Sequence, residues 1–252
     1  MNALILAAGY ATRLYPLTLN QAKPLLQVGG KPIIEWLADH LIELPDLGTI
    51  FIVTNDKFAK NFQAWADDYQ QRHANARFKI VNDGSTSDAD KLGAIGDINL
   101  VLTRENLLDT DLLVLAGDNL FSESIAKFVA FARDTDATVA LFDVGDVEAM
   151  KKYACVTTDS SGVITDFEEK PAKPTTTLAA IALYFYSRRV LSLFITYLAS
   201  GNNPDQPGRF LQWLYKRKPV KTFEIKGQWL DIGSKETLEE ADRMFSSPAA
   251  RK

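Results

Sequence analysis

Short apolar runs alternate with helix-like segments through the first 143 residues, and this alternation constrains the fold more than any other feature. The runs that predict buried strands are Ala3–Leu6, Ile50–Thr54, Phe78–Val81, Leu112–Ala116 and Thr138–Phe142. Between the first two, Pro32–Leu44 has a proline in its first turn and apolar side chains on one face, which predicts an amphipathic helix. Repeated strand–helix–strand units favour right-handed crossovers and helices on both faces of a sheet. The sequence therefore predicts a three-layer αβα fold with a mixed, mainly parallel sheet.

The pattern changes after Asp143. Strand-like segments at Ala154–Thr158 and Val163–Phe167 flank four turn residues, which predicts a hairpin, and Ala180–Tyr186 predicts a further strand. The polar, glycine-containing stretch Gly201–Gly208 predicts a surface loop.

The domain organisation follows from size and from the lack of a linker. A chain of 252 residues with 46% hydrophobic content can bury about three quarters of its unfolded surface, enough for one large domain or two small ones. No polar, Pro/Gly-rich segment separates the two halves. We therefore expect one domain over residues 1–245, in parts of about 1–143 and about 144–245, and a polar tail at 246–252.

Charge and cysteine content exclude several classes of partner. The net charge is -4 and no long run of Lys and Arg occurs, so we expect no nucleic-acid partner. The sequence shows no secretory-type start and no apolar run near 18 residues, so we expect no membrane partner. The single cysteine, Cys155, lies in an apolar stretch and suits a reducing compartment, so we expect a cytoplasmic protein.

The first strand runs into a turn of small residues. Such a turn leaves backbone amides unshielded, so that they can approach a phosphate group. Arg13 adds a planar guanidinium fork and Lys23 a compact second positive charge. A glycine-containing turn alone is weak evidence, but the two cations together with it predict a triphosphate site. The predicted nucleotide-contacting residues of the turn are Leu6, Ala7, Ala8 and Gly9.

The whole segment Leu4–Leu37, LILAAGYATRLYPLTLNQAKPLLQVGGKPIIEWL, resembles the opening of the sugar-1-phosphate nucleotidyltransferases, or nucleotide-sugar pyrophosphorylases, which include the glucose-1-phosphate thymidylyltransferases. Two positions depart from the family pattern: Ala11 replaces a usual glycine and Ala22 a usual proline. The resemblance implies a Rossmann-like nucleotidyltransferase fold, with the nucleotide bound by the first part of the chain and the sugar phosphate by the second. It also implies Arg13 and Lys23 as catalytic residues.

Two aspartates are candidate magnesium ligands. Asp118 follows the apolar run Leu112–Ala116, and a carboxylate at the carboxyl end of a buried strand is well placed to bind Mg²⁺ together with substrate phosphates. Asp231 lies in Trp-Leu-Asp-Ile-Gly, which resembles the family's late W-x-D-I-G motif. We expect Ser234, not Asp231, to cap the final helix. The resemblance therefore implies Mg²⁺ held by Asp118 and Asp231.

A second motif indicates the acceptor substrate. Phe167–Pro171 resembles the family's E-E-K-P segment, so Glu169 is predicted to bind sugar hydroxyls and Lys170 the sugar phosphate. Tyr153 stands where the family frequently has a tyrosine beside the sugar.

The nucleotide base and the sugar stay unassigned. Residues 82–97 depart from the family's Gln-x-x-Pro-x-Gly pattern, although Gly93 could let the backbone approach a base where a helix begins near Ala94. A homo-oligomer is possible for this family. No hexapeptide repeat follows Phe245, so we do not expect the family's second, acyltransferase activity.

The implied reaction joins a nucleoside triphosphate to a sugar 1-phosphate and releases pyrophosphate. One alternative is a cytidylyltransferase acting on phosphocholine or another small phosphomonoester. A second, suggested by Ala11 and Ala22, is a catalytically silent nucleotide-sugar-binding subunit. A glycosyltransferase with a D-x-D metal motif is disfavoured, because Asp109-Thr110-Asp111 precedes its strand instead of following it.

Overall fold

The computed structural model describes residues 1–246, so the predicted polar tail lies outside the described residues except for Ser246. All predicted strands form, with ends that shift by at most two residues. The strands are β1 Asn2–Leu6, β2 Gln27–Val28, β3 Lys31–Pro32, β4 Ile50–Thr54, β5 Phe78–Asn82, β6 Leu112–Ala116, β7 Asn119–Phe121, β8 Ala137–Asp143, β9 Ala154–Thr158, β10 Ile164–Glu169, β11 Leu178–Tyr186, β12 Lys221–Glu224 and β13 Trp229–Asp231. The helices are α1 Ile33–Ile42, α2 Ala59–Arg72, α3 Ala94–Arg104, α4 Ala126–Ala132, α5 Arg188–Ala199, α6 Pro207–Leu214 and α7 Lys235–Phe245. None of the helices within residues 1–246 has the length and apolar character needed to cross a bilayer.

The chain divides into two compact units. The first contains Met1–Lys91, Leu115–Ala126 and the described residues from Gly227 onward, and the second contains Leu92–Val114 and Lys127–Lys226.

Parallel strands form the centre of the first unit. β1 pairs with β4 and β4 with β5, both in parallel register. All five residues of β4 are buried, as expected for a strand covered on both faces. α1 buries Ile33, Ile34, Leu37 and Leu41, as its apolar face predicted. A separate antiparallel pair, β7 with β13, brings two distant parts of the chain together.

Antiparallel pairing dominates the second unit. The hairpin β9–β10 pairs with β11, and β11 pairs with β8, all antiparallel, while β12 joins β8 in parallel. In the hairpin turn, the Asp159 carboxylate accepts hydrogen bonds from the backbone N–H groups of Ser161 and Val163. The predicted α/β class with a mixed sheet is therefore confirmed, with the parallel and antiparallel pairings concentrated in different units.

Two predicted boundaries are wrong. The loop predicted to end at Gly208 ends earlier, because α6 begins at Pro207 with the proline in its first turn, where a missing N–H costs nothing. The helix predicted over Pro32–Leu44 starts at Ile33 and ends at Ile42. Pro32 instead pairs in β3 and stands at the N-cap position of α1.

α7 begins as its sequence indicated. The Ser234 hydroxyl accepts a hydrogen bond from the Thr237 N–H, and the Thr237 hydroxyl accepts one from the Ser234 N–H. This reciprocal capping satisfies donors that the first turn of a helix leaves unpaired. Ser234 is therefore the cap, as predicted.

Gly29→Ala is expected to lower the free energy of unfolding by about 2–4 kcal/mol, whereas Gly30→Ala should cost about 1–2 kcal/mol. Both glycines have positive φ, +61° and +88°. A Cβ on Gly29 would also lie 2.6 Å from the Phe245 carbonyl oxygen and 2.9 Å from the Trp36 ring, while one on Gly30 would meet nothing within 4 Å. Urea denaturation of both variants measures the difference, and equal losses would refute the packing argument.

Candidate functional site

The turn after β1 is fixed by backbone and amide hydrogen bonds. The Ala7 N–H donates to the Val53 carbonyl at 2.9 Å, and the buried Asn55 side chain donates to the Ala8 carbonyl at 2.9 Å. A Cβ on Gly9 would meet nothing within 4 Å, so the turn is open on that side. Backbone is therefore accessible at the exposed Gly9, whereas Ala7 and Ala8 are buried.

Ala11 adopts the left-handed conformation, with φ 48° and ψ 43°. Its carbonyl accepts hydrogen bonds from the Thr18 hydroxyl at 2.8 Å and from the Leu14 N–H at 2.9 Å. A methyl-bearing residue pays about 1–2 kcal/mol for this conformation, which glycine adopts freely. Ala11 therefore has the left-handed backbone conformation that the glycine usual in the family would adopt freely.

Lys23 and Asp118 form the central charged pair of the first unit. The Lys23 ammonium donates to Asp118 Oδ2 at 2.5 Å and to the Ile232 carbonyl at 2.9 Å. The two side chains are 17% and 26% exposed, so the pair is largely shielded from water. Burial alone would raise the pKa of Asp118, but the charge and hydrogen bond of Lys23 and the Asn119 amide together lower it. Asp118 is therefore an anion at neutral pH.

The two aspartates predicted to bind metal lie close together in the fold, with Asp118 directly before β7 and Asp231 at the end of β13. Asp231 pairs with Asn119 in the β7–β13 ladder, and the Ile232 N–H donates to the Asp118 carbonyl at 3.0 Å. No group of three acidic, histidine or cysteine side chains within residues 1–246 is arranged to hold a metal ion. Two carboxylates suffice for Mg²⁺ when substrate phosphates supply further oxygens.

Most of the predicted triphosphate residues line one open cavity of about 340 Å³ within the first unit. The predicted residues among its lining are Leu6, Ala7, Gly9, Arg13, Lys23 and Asp118. Arg13 is exposed, and Ala8 is buried behind the turn. The chemical character of the lining, cationic side chains beside small residues, fits an extended anion.

Sequence reasoning missed two charged residues of this cavity, Asp88 and Lys91. They form an exposed ion pair at 3.2 Å, three positions apart in the chain. Both lie in the segment where the family pattern is lost, so no motif marked them. Lys91 adds a third cation to the lining.

Gly93, predicted to contact the nucleotide, lies in the second unit at the N-cap of α3 with φ +78°. A Cβ there would lie 2.7 Å from the Pro204 carbonyl oxygen, and the Ala94 N–H donates to the Asp205 carbonyl at 3.2 Å. Close packing of the Pro204–Asp205 backbone therefore explains the glycine without a ligand. A contact from Gly93 to a base stays a prediction.

The structure brings the three predicted acceptor residues together in the second unit. Glu169 ends β10 opposite Ala154 of β9, and the Lys170 N–H donates to the Tyr153 carbonyl at 3.1 Å. Lys170 has φ +50°, which turns the chain sharply where the strand ends, and its side chain is exposed.

The Glu169 carboxylate is only partly exposed and lies against the first turn of α6. A Cβ on Gly208 would overlap Glu169 Oε2, so the absence of a side chain at that position gives the carboxylate its space. Burial raises the pKa of Glu169, and the positive charges of Lys170 and Arg209 partly offset that rise. None of the described hydrogen bonds or ion pairs involves this carboxylate, so its oxygens can accept hydrogen bonds from hydroxyl groups.

Comparison with known proteins identifies relatives over nearly the whole chain. The nucleotidyl transferase family model matches residues 2–247. The UTP–glucose-1-phosphate uridylyltransferase AglF of Haloferax volcanii is 28% identical over 248 residues, covering 96% of each chain. The bifunctional protein GlmU of Methanocaldococcus jannaschii is 26% identical over 243 residues, which are 96% of this chain and 54% of that protein. The chain therefore spans about half the length of this GlmU, and of a second one from Methanococcus aeolicus.

Solved structures share the fold. A structure named as a glucose-1-phosphate thymidylyltransferase from Bacillus anthracis, in complex with sucrose, superposes with a TM-score of 0.83 at 24% identity and covers 100% of this chain and 99% of its own. A UDP-glucose pyrophosphorylase complexed with UDP-glucose superposes with a TM-score of 0.80 at 21% identity, covering 97% of both chains. At 24% and 21% sequence identity, these structural similarities establish the fold of the chain.

Proposed function

Because the chain belongs to the nucleotidyl transferase family, we propose that it joins a nucleoside triphosphate to a sugar 1-phosphate, forming a nucleotide sugar and pyrophosphate. The observation that carries this proposal is the first unit's cavity, where the turn after β1, Arg13, and the Lys23–Asp118 pair line one space. Glu169 and Lys170 in the second unit support a sugar phosphate as the acceptor. The relative AglF, named as a glucose-1-phosphate uridylyltransferase, belongs to the same reaction class.

The reaction needs no protein nucleophile. A phosphate oxygen of the sugar 1-phosphate attacks the α-phosphorus, a new P–O bond forms, and the bond from the α-phosphorus to the oxygen bridging to the β-phosphate breaks. The electron pair leaves with pyrophosphate. Two like charges 4 Å apart repel by about 4 kcal/mol at an effective dielectric near 20, so catalysis depends on placing anions together and neutralising them.

The first unit supplies the groups that bind the triphosphate. The exposed amide of Gly9 can donate to a phosphate oxygen, and the Arg13 guanidinium can bind two oxygens at once. Lys23 supplies a positive charge whose position Asp118 and the Ile232 carbonyl fix. Held in this way before substrate arrives, the ammonium can stabilise charge on the pentacoordinate phosphorus without reorganising.

We propose Mg²⁺ as the cofactor, held by Asp118 and Asp231. Asp118 Oδ2 accepts a hydrogen bond from Lys23, and Oδ1 accepts one from the Asn119 side chain. Each oxygen keeps a further lone pair for a cation. When bound, Mg²⁺ neutralises phosphate charge and polarises phosphoryl oxygens. The β7–β13 pairing supports this assignment, because Asp231 lies opposite Asn119, the residue that follows Asp118.

The second unit binds the acceptor in this proposal. Glu169 accepts hydrogen bonds from sugar hydroxyls, and the exposed Lys170 ammonium meets the phosphate. Tyr153, joined to Lys170 through the backbone, contacts the sugar. The reaction suits the cytoplasm, where the single, buried Cys155 stays reduced.

Gly208→Ala should raise the KM for the sugar 1-phosphate about tenfold, equivalent to about 1.4 kcal/mol, because the new methyl group displaces the Glu169 carboxylate. The KM for the nucleoside triphosphate should stay within about twofold. Glu169→Gln should produce the same selective change if the carboxylate binds hydroxyls. Steady-state kinetics with each substrate varied in turn make the measurement, and an equal rise in both KM values would contradict the assignment.

The proposed function is tested by following pyrophosphate release with Mg²⁺ present. ATP, CTP, GTP, UTP and dTTP are each combined with several sugar 1-phosphates and, separately, with phosphocholine. Release that requires both a triphosphate and a sugar 1-phosphate supports the proposal and identifies the substrates. Release with phosphocholine alone among the acceptors, or no release from folded protein that binds nucleotide, would refute it.

A further inference from the structure

A second cavity, of about 330 Å³, lies in the second unit between α5, α6 and the loop that joins them. Its lining contains three cationic side chains, Arg209, Lys216 and Arg217, and no carboxylate. We propose that this cavity binds a small phosphate-bearing anion, at a site separate from the residues assigned to the reaction. No sequence motif marks this cavity, because its cations are spread over nine residues of one helix and the turn that follows.

The three cations have no carboxylate partner within residues 1–246 that forms an ion pair with them. The Arg209 guanidinium donates to the Gln206 side-chain oxygen at 3.1 Å, and Arg217 donates to the Trp213 carbonyl at 2.9 Å. Arg209 is close enough to Glu169 to offset part of the rise that burial causes in the pKa of that carboxyl, but the two form no ion pair. Three positive charges without an ion-pair partner around one cavity repel one another, and a bound polyanion would relieve that repulsion.

The helix dipole explains only part of this arrangement. Lys216 and Arg217 follow the C-terminal end of α6, where cations are ordinarily favourable. Arg209 lies in the first turn of the same helix, where the dipole disfavours a cation. The helix dipole therefore does not account for Arg209, which an anion shared by all three side chains would stabilise.

The loop side of the cavity is preorganised. The Tyr197 hydroxyl donates to the Asn203 carbonyl at 2.8 Å, and the Asn202 side chain donates to the Tyr197 carbonyl at 2.8 Å. The Asn203 side-chain oxygen accepts from the Asp205 N–H at 2.9 Å, which leaves its amide N–H₂ to donate. Amides of this kind complement hydroxyl or phosphate oxygens.

The aromatic part of the lining is fixed by packing. The Arg217 guanidinium stacks on the Trp213 ring, 4.0 Å from its centroid, which holds the charged group in a fixed plane. Trp213 itself packs edge-on against Tyr197 and stacks with Phe210. A planar guanidinium held in this way suits bidentate contact with phosphate oxygens.

The test is isothermal titration calorimetry of the full chain with inorganic phosphate, glucose 6-phosphate and unphosphorylated glucose. Glucose 6-phosphate has no 1-phosphate, so its binding does not depend on the proposed reaction. We expect both phosphate-bearing probes to bind and glucose not to bind. The double variant Lys216→Gln/Arg217→Gln should raise the Kd of both phosphate-bearing probes at least about tenfold, which corresponds to about 1.4 kcal/mol of binding free energy.

The matched control is Lys218→Gln/Arg188→Gln, which removes the same charge from exposed positions outside the cavity lining. This control variant should bind both phosphate-bearing probes with Kd values within about twofold of wild type. The single variant Lys216→Gln disturbs no hydrogen bond or ion pair of the described residues, and it should also weaken binding. It therefore tests the proposal even if the double variant misfolds. Equal Kd values in the cavity and control variants, or no heat with wild type up to about 10 mM probe, would overturn the proposal.

Discussion

Asp118→Asn is expected to lower kcat/KM for pyrophosphate release about 10³-fold. The substitution keeps the shape of the side chain but removes the charge that fixes Lys23 at 2.5 Å and that would bind Mg²⁺. Both roles stabilise charge in the transition state, so kcat should fall as well as kcat/KM. Steady-state kinetics at saturating concentrations of both substrates separate the two constants.

Stability must be measured beside activity for this variant. Loss of the Asp118 charge leaves a largely buried ammonium with the Ile232 carbonyl as its described partner, which should cost about 1–3 kcal/mol of unfolding free energy. Asp109→Asn, an exposed aspartate outside the cavity, is the matched control and should change neither quantity. A folded Asp118→Asn protein that retains more than a tenth of wild-type kcat/KM would contradict the assigned role.

The strands were predictable because burial imposes a strong local pattern. β4 and β6 are continuous apolar runs, and their predicted and observed bounds are identical. Short strands such as β7 and β13 have three residues each and acquire their structure by pairing across more than 100 residues of chain. No local signal could identify that pairing, although the motifs containing Asp118 and Asp231 mark its two ends.

The candidate site was predictable where the chain retains family motifs and was not predictable elsewhere. Arg13, Lys23 and Asp118 come from segments that resemble the family's motifs, and they line one cavity, while their roles stay predictions. The hydrogen bond from Lys23 to the Ile232 carbonyl was not foreseen, because a backbone acceptor 209 residues away leaves no mark in sequence. Lys91 was missed for a different reason, since its segment departs from the family pattern.

Gly93 and Gly208 illustrate why glycines are ambiguous in sequence. Gly93 was interpreted as a place where backbone could approach a base, yet the Pro204 carbonyl occupies the space beside it. Gly208 was assigned to a loop, yet it lies in α6 and makes room for the Glu169 carboxylate. In both cases the requirement for glycine comes from a tertiary contact. A one-dimensional pattern records the glycine but not the atom that it accommodates.

Arg13→Gln should lower kcat/KM for the nucleoside triphosphate about 10²–10³-fold while leaving the unfolding free energy within about 0.5 kcal/mol of wild type. The side chain is exposed and forms no ion pair within residues 1–246, so folding does not depend on it. Its planar fork lines the cavity beside the turn after β1 and can bind two phosphate oxygens together. Arg13→Lys should recover only part of the loss, because an ammonium keeps the charge but not the bidentate geometry.

The division of this loss between kcat and KM distinguishes two roles for Arg13. A guanidinium that only holds the triphosphate would raise its KM and leave kcat unchanged, whereas one that stabilises charge in the transition state would lower kcat. Arg77→Gln, an exposed arginine outside the cavity, controls for the change in net charge and should alter neither constant. If Arg13→Gln and Arg77→Gln have the same small effect, the triphosphate does not contact Arg13, and the assignment of this cavity to the nucleotide is wrong.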